Sequence, residues 1–445
     1  MINRRKFIGT TLAAAAATQA RPIFASETRG IQGANDRIRV GLIGCGTRGG
    51  QVSTDWMKHK DSVFIAACDV AKDRLEKMSA SMGTTQSNKV DTYEDYRRIL
   101  ERKDIDAVLI ATPDHWHSPM TLEAIAAGKD VYCEKPVSNE IEPAVKMLEG
   151  IRKSNRIVQI GTQQRSWHHF QEAAKLFHSG YVGESVNHCQ MCPPGGGGAG
   201  GGQRGAQATS GPQPIPEGFN WEMFQGPAKR KPFEPGRRNW RGWYDYGGGN
   251  LTDWGVHLTD IMNWFMKTDG KAPLLTSASA QYVRIPRNPE RVPDTYSVTW
   301  QYENFVATLS NAMVPGLQDP RDLYGNFFFG DKGVLLVNRI GYEVKPYIPT
   351  APRTAAPNPN APPPVPPIEA KKFKDPSGMS EIAESSFGSA THRHVRNFLD
   401  CVKSRQQPVC NIEIGFFSTL PTLLAIVSVK EGRTVKWDGK SAKTT

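Results

Sequence analysis

One short stretch restricts this chain more than any other. A β-branched run, Ile38-Arg-Val-Gly-Leu-Ile43, leads directly into Gly44-Cys-Gly46-Thr-Arg-Gly49. Glycines spaced G-x-G-x-x-G at a strand-to-helix junction allow a tight turn and let backbone N–H groups approach a pyrophosphate at the helix N-terminus. A second strand, Val63–Cys68, ends at Asp69. That is about twenty residues beyond the glycines, where a carboxylate accepts from both hydroxyls of an adenosine ribose. The same carboxylate repels a 2′-phosphate, so NAD is favoured, while Arg48 and Lys72 leave NADP open. Gly44, Cys45, Gly46, Thr47, Arg48, Gly49 and Asp69 are therefore the first candidate cofactor contacts.

The alternation of strand and helix continues. Asp106–Thr112 is an unbroken apolar run, as a strand buried on both faces should be. After Pro113-Asp-His-Trp-His117, Ser118 and Pro119 are expected as N-cap and first residue of a helix that Gly128 stops. Asp130–Cys133 is the next strand and ends in Glu134-Lys135-Pro136. Residues just past the carboxyl ends of such strands face the ligand crevice, which adds Thr112, Pro113, His117, Glu134 and Lys135 to the cofactor set. From about residue 161 the pattern turns β-rich, over 185–192, 274–285, 295–313 and 326–338, and Thr295–Tyr302 alternates with period two. Helical patterns at 391–403 and 415–431 are expected to close the chain back onto the first domain. A glycine-rich stretch (195–205) and a proline-rich one (346–367) read as surface insertions.

Gly247-Gly-Gly-Asn-Leu-Thr-Asp253-Trp-Gly-Val-His257-Leu-Thr-Asp260 marks another helix start, with Asn250 as the expected N-cap. Leu251, Trp254, Leu258 and Ile261 form its apolar stripe, and Asp253 and His257 stand one turn apart on a different face. An imidazole near a helix N-terminus stays a neutral base, and a neighbouring carboxylate can orient it. The spacing alone equally fits a capping carboxylate and a satisfied polar histidine.

Three motifs together, Gly-Leu-Ile-Gly-Cys-Gly46, Ala-Thr-Pro-Asp-His-Trp-His117 and Glu-Lys-Pro136, resemble the Gfo/Idh/MocA oxidoreductases. The resemblance continues through Gly161–Arg165 and the 247–257 segment, over roughly residues 36 to 440. It implies an α/β Rossmann domain with a doubly wound parallel sheet (36–160). A second α+β domain follows (161–445), with a large open, mostly antiparallel sheet used for substrate binding and for assembly as a dimer or tetramer. It implies catalysis by Lys135, Asp253 and His257, with hydride leaving a sugar ring CH–OH for NAD. Arg165, Trp167, His168, Trp240, Arg241, Trp243 and Tyr244 lie on stretches leading into the site and offer aromatic faces and donors suited to a carbohydrate. His115-x-His117 lacks a third ligand, so no metal is expected.

Asn3-Arg-Arg-Lys-Phe7 followed by an alanine-rich stretch resembles a twin-arginine export signal over residues 1–25, ahead of a linker at 26–35. Export through that machinery to the periplasm is the expectation. Since an exported enzyme has no free dinucleotide pool, the cofactor is expected to be tightly bound. The net charge of +11 falls by four without Arg4, Arg5, Lys6 and Arg21, and no polybasic block remains to suggest nucleic acid. No apolar run is expected to reach the roughly 18 residues of a membrane span. The 7 cysteines are scattered, and Cys189-x-x-Cys192 reads as two strand thiols. Two other functions compete with sugar oxidoreduction. One is a redox-neutral glycosidase working by transient oxidation, against which the Asp-x-x-x-His segment counts. The other is a non-catalytic sugar-binding protein.

Overall fold

A computed structural model describes residues 37–194, 211–311, 324–347, 367–376, 380 and 388–445. The expected leader and linker, the glycine-rich insertion and residues 348–366 lie outside them. Strands β1 (Ile38–Ile43), β2 (Ser62–Cys68), β3 (Asp91–Tyr93), β4 (Ala107–Ile110), β5 (Asp130–Glu134) and β6 (Val158–Gly161) form a parallel sheet in the order β3-β2-β1-β4-β5-β6. Every residue of β4 and β5 is buried, because helices cover the sheet. These are α1 (Thr47–Trp56), α2 (Lys72–Gln86), α3 (Arg97–Glu101), α4 (Asp114–Ala126) and α5 (Ile141–Arg152). Strand order reverses between β1 and β4, and a crevice opens beyond their carboxyl ends.

The second sheet has ten strands: β7 (Val186–Cys192), β8 (Leu275–Gln281), β9 (Thr295–Gln301), β10 (Val306–Ser310), β11 (Gly325–Gly330), β12 (Gly333–Asn338), β13 (Gly341–Pro346), β14 (Lys371–Lys374), β15 (Val435–Trp437) and β16 (Ala442–Thr444). Their order is β14-β13-β12-β11-β7-β10-β9-β8-β15-β16, and β7 beside β10 is a parallel pair among antiparallel ones. In β9, Tyr296, Val298 and Trp300 are buried while Ser297, Thr299 and Gln301 are exposed, the period of two read from the sequence. The helices of this half are α6 (His168–His178), α7 (Trp221–Gln225), α8 (Pro235–Arg238), α9 (Gly249–Asp253), α10 (Gly255–Phe265), α11 (Ala390–Ser404) and α12 (Ile412–Glu431). Helix α12 packs on α10, α5 and β8, while α11 returns to the first domain and sets Phe398 against Trp56 at 5.4 Å. Ser389 caps α11 by accepting from the His392 N–H, and Asn411 caps α12 by accepting from the Ile414 N–H.

Three local expectations fail. Helix α4 starts at Asp114, before Ser118 and Pro119: the Trp116 N–H already donates to the Pro113 carbonyl at 3.0 Å, and the Ser118 hydroxyl leaves the helix to donate to the Pro143 carbonyl. Asn250 is not an N-cap but lies within α9, where it accepts from the Tyr296 hydroxyl at 2.6 Å. Helix α12 is 20 residues long and apolar enough by length and composition to cross a membrane. Most of it is buried against the second sheet and α10, as a core helix is.

Candidate active site

The glycine loop between β1 and α1 divides its duties by position. Gly44 has φ +98°, and a Cβ there would stand 2.7 Å from the Ala111 carbonyl carbon. At Gly49 a Cβ would stand 2.0 Å from the Gly44 carbonyl oxygen, so α1 rests directly on the turn. Gly46 faces open space, with only an Arg74 guanidinium nitrogen near among the described residues, at 3.8 Å. No acidic residue occupies the first turn of α1, which leaves its N–H groups to an anion. Asp69 accepts from the Cys45 N–H at 2.7 Å and the Ala71 N–H at 2.8 Å. Each carboxylate oxygen keeps a second lone pair for a ribose hydroxyl. Gly46 is thus a cradle that any side chain would fill, and this end of the cleft fits a dinucleotide. The Cys45 thiol is buried and turned toward the Cys68 carbonyl, so Cys45 serves through its backbone.

The cleft runs from there past Thr112, Pro113, Glu134 and Lys135 to Asp253 and His257. Arg48 Nε donates to Glu134 Oε1 at 2.8 Å, and Gln163 Nε2 donates to the same oxygen. The His117 ring lies between the Pro136 carbonyl (2.6 Å) and the Thr112 carbonyl (2.9 Å), tying the β4–α4 turn to the segment after β5. Burial pushes its pKa down to about 4 even though both carbonyls favour the charged ring. His115 is held by the Phe224 carbonyl, so both histidines of the sequence pair are engaged by backbone.

Lys135 Nζ donates to Asp253 Oδ1 at 2.7 Å and to the Asp253 carbonyl at 2.8 Å, at the point where α9 gives way to α10. Arg241 approaches the other carboxylate oxygen at 3.4 Å. Lys135 and Arg241 hold Asp253 below the usual carboxylate range against its burial. The expected pairing of Asp253 with His257 is not made. His257 is buried, its Nδ1 has no partner among the described residues, and burial followed by the charges of Lys135, Arg339 and Arg48 lowers its pKa well below that of a free imidazole. The ring is a neutral base facing the cavity beside a lysine that a carboxylate holds in place.

Among the candidate sugar contacts, Trp240 and Arg241 line the cleft, with the guanidinium 4.4 Å above the indole. The others lie elsewhere. Arg165 is buried in ion pairs with Asp260 (2.8 Å) and Asp269 (2.7 Å). His168 opens α6 and pairs with Glu172, Tyr244 lies under the Lys430 ammonium, and Trp167 and Trp243 belong to the core.

The structure also brings in residues that local sequence cues do not mark. Arg339 reaches the cleft from the turn after β12, stacked on Trp254 at 4.4 Å. Residues 211–246 cross from the second domain to the turn between β2 and α2. There the Lys72 N–H donates to the Gly218 carbonyl and the Asn220 N–H to the Val70 carbonyl. Phe219, Trp221, Phe224, Phe233, Trp243 and Tyr246 pack with Ala71 into a separate core, and Phe219, Met223 and Phe224 wall the cleft near Asp69.

A dinucleotide-type Rossmann domain carrying a large open sheet, with lysine, aspartate and histidine meeting in the crevice between them, defines a two-domain oxidoreductase architecture. Two family models agree: an oxidoreductase family NAD-binding Rossmann fold over residues 38–162, and the C-terminal alpha/beta domain of the same family over residues 203–311. Together they match more than half of the chain, which belongs to the Gfo/Idh/MocA oxidoreductase family. Inositol 2-dehydrogenase 4 of Saccharopolyspora erythraea is 31% identical over 168 residues, 36% of this chain and 48% of that protein. A glycosyl hydrolase family 109 protein of the same organism is 30% identical over 146 residues, 32% of each chain. The matched segments span less than half the length of these curated relatives. The WlbA dehydrogenase of Bordetella pertussis, solved with NADH and UDP-GlcNAcA, shares the fold at TM-score 0.61 and 16% identity, over 90% of this chain and 99% of its own.

Proposed function

We propose that this chain is an exported, NAD-dependent oxidoreductase that oxidises a ring CH–OH of a sugar or polyol and keeps its dinucleotide bound through turnover. One observation carries this reading: a single cleft has the Gly46 cradle and Asp69 at one end and Lys135, Asp253 and His257 at the other. NAD bound along it supplies a hydride acceptor. The chain's own residues handle the oxygen and its proton. His257, neutral and with its Nδ1 unpartnered among the described residues, accepts the hydroxyl proton. Lys135 Nζ donates to the same oxygen and steadies the charge that develops there. Asp253, itself held by Arg241, keeps that ammonium aimed. The segment 211–246, anchored on Val70, Ala71 and Lys72 just after Asp69, supports retention of the cofactor, as export through the twin-arginine route requires. The inositol dehydrogenase relative supports a polyol substrate. The glycosyl hydrolase relative supports a second reading, in which the oxidation is transient and a glycoside is cleaved with no net redox change.

The test is to purify the secreted protein, denature it and identify the released dinucleotide by mass spectrometry. Intact protein is then screened with cyclitols, aldoses and aryl glycosides for reduction of the bound nicotinamide. Stoichiometric NAD and reduction by a polyol are expected. Glycoside cleavage without net reduction would select the second reading. Absence of dinucleotide together with no spectral change on adding NAD would overturn both.

A further inference from the structure

One buried ionisable group in the cleft has no part in the chemistry above. Asp114 opens α4, is 4% exposed and lines the cavity. Among the described residues no donor bonds its carboxyl, whereas its neighbours Asp253, Glu134 and Asp69 are each bonded. Its place is fixed by packing. A Cβ built on Gly247 would stand 3.3 Å from Asp114 Oδ2 and 3.1 Å from two Trp240 ring atoms, so carboxyl and indole meet over the bare Gly247 backbone. Lys135, Arg241 and Asp253 are near enough to act on its charge, which puts it at the reacting end of the cleft. A buried polar group left without a partner is costly, and a cavity wall joining such a group to an aromatic face is what a polyhydroxylated ring fits.

We propose that Asp114 is a specificity-determining residue that hydrogen-bonds a second hydroxyl of the substrate, one not held by Lys135 and His257, while Trp240 covers the adjoining C–H face. This rests on the polyol oxidoreductase reading. Burial drives the carboxyl well above the ordinary range, against the pull of Lys135 and Arg241, and so favours the protonated form, which both donates and accepts. An amide does the same, a methyl group neither.

The test uses the cofactor-loaded protein, its Asp114→Ala and Asp114→Asn variants, a cyclitol or aldose that reduces the bound nicotinamide, and each monodeoxy analogue of that substrate. Wild type is expected to disfavour one analogue, at a carbon other than the one oxidised, by about ten- to hundredfold in kcat/KM, the usual cost of an unmade buried hydrogen bond. Asp114→Ala should lose that discrimination while keeping its dinucleotide content, and Asp114→Asn should retain most of it. A purely structural role would lower the rates with all analogues alike. If polyols react and Asp114→Ala discriminates as wild type does, the inference fails and the oxidoreductase reading stands. If no polyol reduces the wild-type nicotinamide, the reading fails and the inference falls with it.

Discussion

The partner of Asp253 decides how the site works, and a double-mutant cycle reads it. Its Oδ1 lies 2.7 Å from Lys135 Nζ, with side chains 27% and 11% exposed. At that distance and an effective dielectric constant of about 20, the gross attraction is about 6 kcal/mol, much of it offset by desolvation. Asp253→Asn leaves two cations, Lys135 and Arg241, facing each other, a loss of about 3–5 kcal/mol in folding stability. Lys135→Met leaves the carboxylate with Arg241 at 3.4 Å, a milder loss of about 2 kcal/mol. The double variant keeps only Arg241, one-third exposed, and should cost about 3 kcal/mol in total, so the single losses exceed the double loss by about 2–4 kcal/mol. Asp253→Asn combined with His257→Gln should instead be additive within about 0.5 kcal/mol. Urea unfolding of the four proteins in each cycle, at fixed dinucleotide saturation, measures both couplings. Strong coupling to His257 with none to Lys135 would refute the assignment and restore the aspartate–histidine pairing read from the sequence.

The glycines make a second contrast. Gly46→Ala meets nothing closer than 3.8 Å and should leave the melting temperature within a few degrees while cutting dinucleotide content, whereas Gly49→Ala drives a methyl to 2.0 Å from the Gly44 carbonyl oxygen and should destabilise the whole domain. Equal melting temperatures for the two would contradict the division of roles. Asp69→Ser removes the carboxylate proposed to hold the ribose and should raise the affinity for NADP relative to NAD by at least about tenfold, measured by competitive loading of dinucleotide-free protein. Unchanged preference would take the ribose role from Asp69. For pH, the His257 pKa is depressed below 6.5, so the base is neutral above that lowered value and is lost only as pH falls through it. The acid limb of kcat/KM should therefore lie below pH 6.5, and Lys135→Met, which removes a nearby cation, should move it upward. A limb above 6.5 in the wild type would rule His257 out as the group being titrated.

The legible parts of this site are those whose chemistry is local. The turn, the close approach and the helix start all sit within Gly44–Gly49, and Asp69, Glu134 and Lys135 sit at strand ends that an apolar run announces. The same holds for Trp240 and Arg241, neighbours in sequence and stacked in space. What escaped depends on residues far along the chain. Arg165 has the composition of a sugar ligand, but its partners Asp260 and Asp269 lie on and just after α10, and the ion pairs they offer remove it from the cleft. Asn250 has the composition of a cap, but Tyr296 on β9 claims its side chain. Asp253 and His257 have the spacing of a pair on one helix face, but Lys135 takes both the carboxylate and the Asp253 carbonyl, so the face is broken where the pairing would form. In each case a charge or donor brought in by the tertiary fold outbids the local pattern, because a buried ionic or polar group is stable only where its partner is also buried. Asp114 is the converse. It stands inside the Ala111–His117 motif, between Pro113 and His117, and only the folded chain shows that, among the described residues, no donor bonds its buried carboxyl. Local cues therefore locate the glycine turn and the strand-end residues that line the cleft, since these sit in one loop and at a few strand ends. The far walls of the cleft, which converge from α4, the 211–246 segment, α9 and the turn after β12, need the fold itself.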